Sequence, residues 1–301
     1  MIIKLGATGD VVRTTPLLRR LDAQITWLTD AKNILLLKGL KSGLRCVSWE
    51  QRPLLSDSTY DLIINLEDSH EIGLYLKTLR SRQFFGAYID SENKLSYTDD
   101  SRRWFDLSLI SSYGREQADR LKFHNRHTYQ ELIFDGLGLH FAGETYLLPE
   151  AVETGLSGDV AIAAEAGPVW PMKKWAYYKE LKQQFESEGL TVNFLPERSS
   201  LLEHLSDVRN HRCLVGGDSL PMHFALGTAT RCVSLFTCTS PWEIHDYGVQ
   251  KKIVSPLLEE FFYKRGYDNR ATTAIPVDEV LTAVMARLEA ASPVANRVTV
   301  K

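Results

Sequence analysis

The sequence predicts an α/β protein of two lobes, each a parallel sheet flanked by helices. Three observations carry that reading. Short apolar runs alternate with segments of helical period over the first ninety residues; a polar, arginine- and aromatic-rich stretch then interrupts the rhythm; and it resumes after a linker-like segment, "LPEAVETGLSGD", at 148–159. Strands separated by helices at this pitch need crossover connections, which put helices on both faces of a parallel sheet. At 301 residues, 44% of them hydrophobic, the chain is long for one core and well stocked for two. The lobes are expected at 1–150 and 158–301, with the cleft between them as the ligand site.

The elements follow in order. "MIIKLG" is a strand, "PLLRRLDA" a helix with Pro16 in its first turn, "ITWLT" a strand, "AKNILLLKGL" a helix, and "LRCVSWE" and "YDLIINLE" two further strands. "EIGLYLKTLRS" reads as helix and "QFFGAYI" as strand, after which 99–139 is mostly helical by spacing. In the second lobe "VAIAAE", "LTVNFLP", "RCLVGGD" and "RCVSLFT" are strands. "KKWAYYKELKQQFESEG", "SSLLEHLSDVRN" and "SLPMHFALGT" are the helices between them, and "VDEVLTAVMARLEAA" closes the series. That last helix is expected to reach back to the first lobe.

Composition excludes several roles. Lys and Arg number 35 against 38 Asp and Glu, a net charge of −3, which argues against a protein that grips nucleic acid. The four cysteines, Cys46, Cys213, Cys232 and Cys238, form no CxxC pair, so no structural zinc or thioredoxin-type motif is expected. No apolar run approaches the roughly 20 residues of a membrane span, and the chain is expected to be cytoplasmic.

The stretch "KLGATGDVVRTTPLLRRL", at 4–21, is the most informative. It is not a dinucleotide fingerprint, because Val12 stands where a third glycine would allow close strand–helix approach. It is not a phosphate loop of the G-K-[ST] kind either. What remains is a loop that sets Asp10 at the carboxyl end of a strand, beside a helix start, where it is either a helix cap or a cleft-facing general base. In the second lobe, "DSLPMHFALG" starts a helix with Asp218 or Ser219 as its cap, Pro221 in its first turn, and His223 one turn in. The free amides at that end suit an anion such as a diphosphate. Arg102, Arg103, Arg115, Arg120, Lys122 and Arg126, interleaved with Trp104, Phe105, Tyr113 and Tyr129, read either as a solvated helical face or as the seat of an acidic acceptor. Glu67, Asp68 and His70 follow the fourth strand and are candidates to line the cleft, Asp68 being the second choice for a base.

These segments together resemble glycosyltransferase family 9, the ADP-heptose-dependent heptosyltransferases. The opening stretch is similar to the family's G-D-v-v-x-t-x-P motif, and "WPMKKWAYYKEL" to its K-x-W-P segment. "LVGGDSLPMHFALGTATRCVSLFTCTSPWEIHDYG" is similar to its D-T-G-P-m-H … L-F-G-x-T-x-P signature, and "IPVDEVLTAV" to its closing helix. Leu220 and Thr237 stand where the family has glycine. The resemblance implies a GT-B fold, two Rossmann-like lobes with parallel sheets facing a central cleft. It implies an inverting, metal-independent transferase that moves a sugar, most simply a heptose, from an ADP-activated donor to a hydroxyl acceptor, with no cofactor beyond the nucleotide-sugar co-substrate. Asp10 would be the base and Lys173 the cation on the leaving diphosphate, with Lys174 as its surface control. Gly167, Asp218, Ser219, Leu220, Pro221, Met222, His223 and Thr239 would hold the donor, with Glu197 in place of the family's ribose-contacting glutamate. Gly9, Arg13, Asp68, Arg115, Arg120 and Arg126 would hold the acceptor, whether glycan, protein or small molecule, which the family presents at the cytoplasmic membrane face. The cysteine cluster that many members carry is missing from "LLEEFFYKRGYDNR", so neither iron nor zinc is expected there. A nucleotide-sugar epimerase or hydrolase on the same scaffold, or a binding protein that has lost catalysis, are the alternatives.

Overall fold

The computed structural model describes residues 1–289 and contains two sheets. The first has six strands, β1 (Ile2–Ile3), β2 (Ile25–Thr29), β3 (Leu44–Ser48), β4 (Thr59–Asn65), β5 (Arg80–Ile89) and β6 (Leu95–Tyr97), in the order β3-β2-β1-β4-β5-β6. The second has five, β7 (Gly158–Ala163), β8 (Val192–Phe194), β9 (His211–Gly217), β10 (Arg231–Phe236) and β11 (Gln250–Val254), in the order β11-β10-β9-β7-β8. All neighbours run parallel except β5 and β6. This is the two-sheet α/β architecture expected from the sequence.

Helices cover both faces of each sheet, so the central strands are apolar throughout rather than alternating. Ile2, Trp27 and Ile64 pack on one face of the first sheet and Ile3, Leu28 and Ile63 on the other. In the second, Val160, Ile162, Val215, Val233 and Leu235 meet Trp175, Leu181 and Phe185, while Ala161, Leu214 and Phe236 meet Leu205, Phe224 and Leu226. The last described helix, Val277–Glu289, buries Val280, Val284 and Leu288 in this second-lobe core rather than against the first sheet. The remainder of the expected closing helix and of the lobe, 290–301, lies outside the described residues.

Several elements differ from the sequence reading. The first helix begins at Thr8, inside the loop, and ends at Thr14, followed by a separate turn Leu17–Arg20. Pro16 has no N–H to continue the helical ladder, so it divides two short helices instead of starting one. "AKNILLLKGL" is a 3₁₀ turn and one α-turn, Ile34–Leu37. The sequence pattern does not mark the edge strands β6 and β11, because "LSY" is too short and "QKKIV" too charged to stand out.

Both sheets reverse their winding at one place. In the first, β1 leads to β2 and β3 on one side and the chain then returns to β4 on the other; in the second, β7 leads to β8 and the chain returns to β9. Ligands in open α/β sheets bind beyond the carboxyl ends of the strands at such reversals, and here the two reversals face each other. No helix or strand lies between Gly136 and Gly158, and the connector is gripped by both lobes. Thr15 Oγ1 accepts from the Leu147 amide at 2.9 Å, Arg19 reaches the Thr145 carbonyl at 2.8 Å, and the Tyr247 hydroxyl reaches the Glu144 carbonyl at 3.2 Å. Gly227 has no side chain where Leu148 and Tyr146 lie against its helix; a Cβ there would come within 2.4 Å of Leu148 Cδ1.

Candidate active site

A cavity of about 880 Å³ opens between the two winding reversals. On the first-lobe side Lys4 follows β1 and Glu67 follows β4. Lys4 Nζ lies 2.9 Å from Glu67 Oε1 and 4.0 Å from Asp10 Oδ2. Burial would lower the Lys4 ammonium, but Asp10 and Glu67 outweigh it and its pKa is raised. Glu67 also accepts from the amides of Leu5, at 2.7 Å, and Gly6, at 3.3 Å, so the loop after β1 is tied to the end of β4.

Asp10 is the third residue of the helix Thr8–Thr14, whose cap position is Ala7 with no side-chain cap. Its carboxylate therefore does not serve as the cap. It is turned toward Arg13, whose Nε is 2.9 Å from Oδ1, and toward the cavity, to which a third of the side chain is exposed. Burial pushes the carboxyl up, yet Arg13, Lys4 and His223 together hold it below its ordinary value. Arg13 in turn is wedged against the rings of Tyr129, at 4.2 Å, and Trp104, at 5.6 Å, contacts that favour a guanidinium.

On the second-lobe side Lys173 Nζ donates to the Asp218 carbonyl at 2.8 Å and to Oδ2 at 3.1 Å. Burial opposes ionisation of Asp218, but Lys173 and His223 bring its pKa down to about 2. Lys174 pairs with Glu165 at the surface instead, so of the two adjacent lysines only Lys173 lines the cavity. Gly217 makes this packing possible, since a Cβ there would sit 3.0 Å from the Lys173 carbonyl. Thr237, where the resemblance expects glycine, donates to the Met172 carbonyl at 2.7 Å and braces the same loop.

The helix Leu220–Thr228 follows, with Ser219 at its cap position but without a side-chain cap bond. Leu220 N–H has no intrahelical partner, Pro221 has none to offer, and the Met222 amide bonds back to the Ser219 carbonyl at 3.1 Å. The anion-binding end is thus narrower than the sequence suggests. His223 lines the cavity and packs on the first lobe: a Cβ on Gly9 would come within 2.8 Å of its Cδ2. Its Nδ1 lies 3.4 Å from the Tyr146 hydroxyl. Burial pushes its pKa down to about 4, so the ring is neutral at neutral pH. A ring whose Nδ1 faces the hydroxyl can carry its proton on Nε2.

Of the residues singled out from sequence, Gly9, Asp10, Arg13, Glu67, Asp68, Trp104, Phe105, Arg115, Lys122, Gly167, Lys173, Asp218, Ser219, Leu220, His223 and Thr239 line the cavity. Pro221 and Met222 do not; Met222 is in the core. Glu197 is exposed in the loop after β8 and is not among the lining residues. Arg120 pairs with Glu116 on the outer face of its helix, and Arg126 stacks on Trp242, 3.7 Å from the ring centre. His70 bonds to the Asn93 carbonyl at the surface. Sequence reasoning did not single out Lys4, Ser240, Glu243, Trp170 or Tyr263, all of which line the cavity. Arg115, Asp119 and Lys122 recur at i, i+4 and i+7, one helical face, and all three line the cavity. Among the described residues no cluster of three His, Cys, Asp or Glu side chains is placed to hold a metal ion, and no helix is long and apolar enough to cross a membrane.

No protein-family model and no curated protein sequence matches the chain. Solved structures do. The glycosyl transferase family 9 protein of Veillonella parvula superposes with a TM-score of 0.61 at 14% identity, covering 95% of this chain and 96% of that one. The E. coli heptosyltransferase WaaC with ADP gives 0.61 at 13% identity, over 95% and 98%. The E. coli ADP-heptose lps heptosyltransferase II gives 0.56 at 14%, again over 95% and 98%. The chain therefore has the fold of these glycosyltransferases over nearly its whole length.

Proposed function

We propose that the protein is a nucleotide-sugar glycosyltransferase that moves a glycosyl unit, in the simplest case a heptose from ADP-heptose, to a hydroxyl acceptor with inversion at the anomeric carbon. The observation that carries this reading is the meeting of two lobes at one cavity: Asp10 from the first, and Lys173, Asp218 and His223 from the second. It is supported by the fold shared with the E. coli heptosyltransferase WaaC, whose structures are solved with ADP and with ADP-2-deoxy-2-fluoro heptose.

In this reading Asp10, held ionised by Arg13 and Lys4, takes the proton of the acceptor hydroxyl as its oxygen bonds to the anomeric carbon. The bond from that carbon to the diphosphate oxygen breaks with its electron pair, and the nucleoside diphosphate leaves on the opposite face. Lys173, the neutral His223 and the Leu220 amide stabilise the charge that grows on it. These are protein groups throughout, so the reaction is proposed to need neither metal nor cofactor. Glu197 is left without a part. The acceptor approaches along Asp68, Arg115 and Lys122.

The test is thermal shift with a panel of nucleoside diphosphates, followed by turnover of ADP-heptose with and without Asp10→Asn. ADP should stabilise both proteins, and the variant should lose roughly 10²- to 10⁴-fold in kcat. Failure of every nucleoside diphosphate to shift the melt would overturn the donor site. An epimerase or hydrolase would show itself by turnover of the ADP-sugar that no acceptor stimulates.

A further inference from the structure

The segment after β10 presents polar atoms that bond to nothing. Ser240 Oγ and Glu243 Oε1 are buried, in residues 2% and 3% exposed, and make no hydrogen bond. Both residues line the cavity. Glu243 is not without countercharge: Arg13 Nη1 is 3.8 Å from Oε2 and Lys122 Nζ is 3.5 Å from Oε1. Those distances are too long for hydrogen bonds, so the carboxylate is neutralised at a distance while its lone pairs stay free. Buried acceptors and hydroxyls left unpaired cost on the order of 1–3 kcal/mol each, and such groups in a native fold call for an explanation.

The segment is rigidly held. The Glu243 carbonyl accepts from the Tyr129 amide at 3.0 Å, and Lys252 Nζ donates to the carbonyls of Pro241, at 2.7 Å, and Ile244, at 2.5 Å. Its polar atoms are thus fixed before any ligand arrives. Arg13 connects it to the reaction centre, contacting Asp10 on one side and Glu243 on the other. Asp10, Asp218 and Glu243 line the same cavity.

We infer that Glu243, with Ser240, is the subsite for the hydroxyl groups of the transferred glycosyl unit. This rests on the glycosyl-transfer reading above. Sugar O–H groups would donate to the free oxygens of Glu243 and bond to the Ser240 hydroxyl, satisfying both residues at once.

The experiment compares calorimetric affinities for ADP, ADP-heptose and ADP-glucose in the wild type, Glu243→Ala and Ser240→Ala. In the wild type at least one of the two ADP-sugars should bind about tenfold or more tightly than ADP. Glu243→Ala should remove most of that advantage while ADP affinity changes less than about twofold; Ser240→Ala should remove about three- to fivefold of it. Thermal melts establish that each variant is folded, and Ser240→Ala tests the subsite independently should Glu243→Ala not fold. Equal losses for ADP and the ADP-sugars would make Glu243 a merely structural residue, and an undiminished advantage in both variants would remove the subsite; either leaves the transferase reading standing. A wild type that binds neither ADP nor an ADP-sugar would bring down that reading, and the subsite with it.

Discussion

His223 is a cavity side chain whose protonation its surroundings change. Burial takes its pKa from 6.5 to about 4, so between those values the unfolded chain binds a proton that the folded protein refuses. Stability therefore falls as pH drops from 6.5 toward 4, by up to about 1.4 kcal/mol per pH unit, and this group contributes no dependence above that window. Urea titrations at pH 7 and pH 5 should show the wild type losing about 2 kcal/mol more than His223→Asn over that step. Asp10 is read in the opposite sense. Its carboxyl is held below its ordinary value, so it stays ionised across the same window and its protonation plays no part in that loss. The sequence disclosed both positions because each stands at a strand-to-helix turn in a recognisable motif. Lys4 and Glu243 stayed hidden for a different reason: a lysine that follows a strand and a glutamate in a Ser-Pro loop gain meaning only from partners 63 and 230 residues away (Glu67 and Arg13 respectively).

Two helices meet where Gly9 of Thr8–Thr14 lies against His223 of Leu220–Thr228. The imidazole lies beside Tyr146, with ring centres 5.9 Å apart, so a methyl group on Gly9 must displace that ring or separate the two helices. Gly9→Ala should cost about 1–3 kcal/mol in a denaturant melt and lower kcat together with nucleotide affinity, unlike Asp10→Asn, which should spare binding. The β/α rhythm was legible because buried parallel strands are apolar throughout. Short helices such as those either side of Pro16, and edge strands with polar faces, were not, since their form depends on neighbours that the local pattern does not encode. The same limit explains Arg120 and Arg126. The stretch from 115 to 124 is clearly helical, but only the docking of that helix decides that Arg115 and Lys122 look inward while Arg120 looks out.

The lobes are packed together as well as joined. Val12 and Leu36, from the first, are buried among Phe224, Leu226 and Leu205 of the second, and Tyr129 and Glu243 share a backbone hydrogen bond across the divide. Unfolding should accordingly give one calorimetric transition, with equal van't Hoff and calorimetric enthalpies; two resolved peaks would show that the lobes melt separately. The connector has a practical consequence of its own. Tyr146 belongs to the chain's first half by position, yet its hydroxyl meets His223 and its Cβ lies beside Gly227. Any hybrid enzyme assembled by exchanging halves with a related protein should therefore be spliced upstream of Thr145, so that tyrosine and histidine come from the same parent.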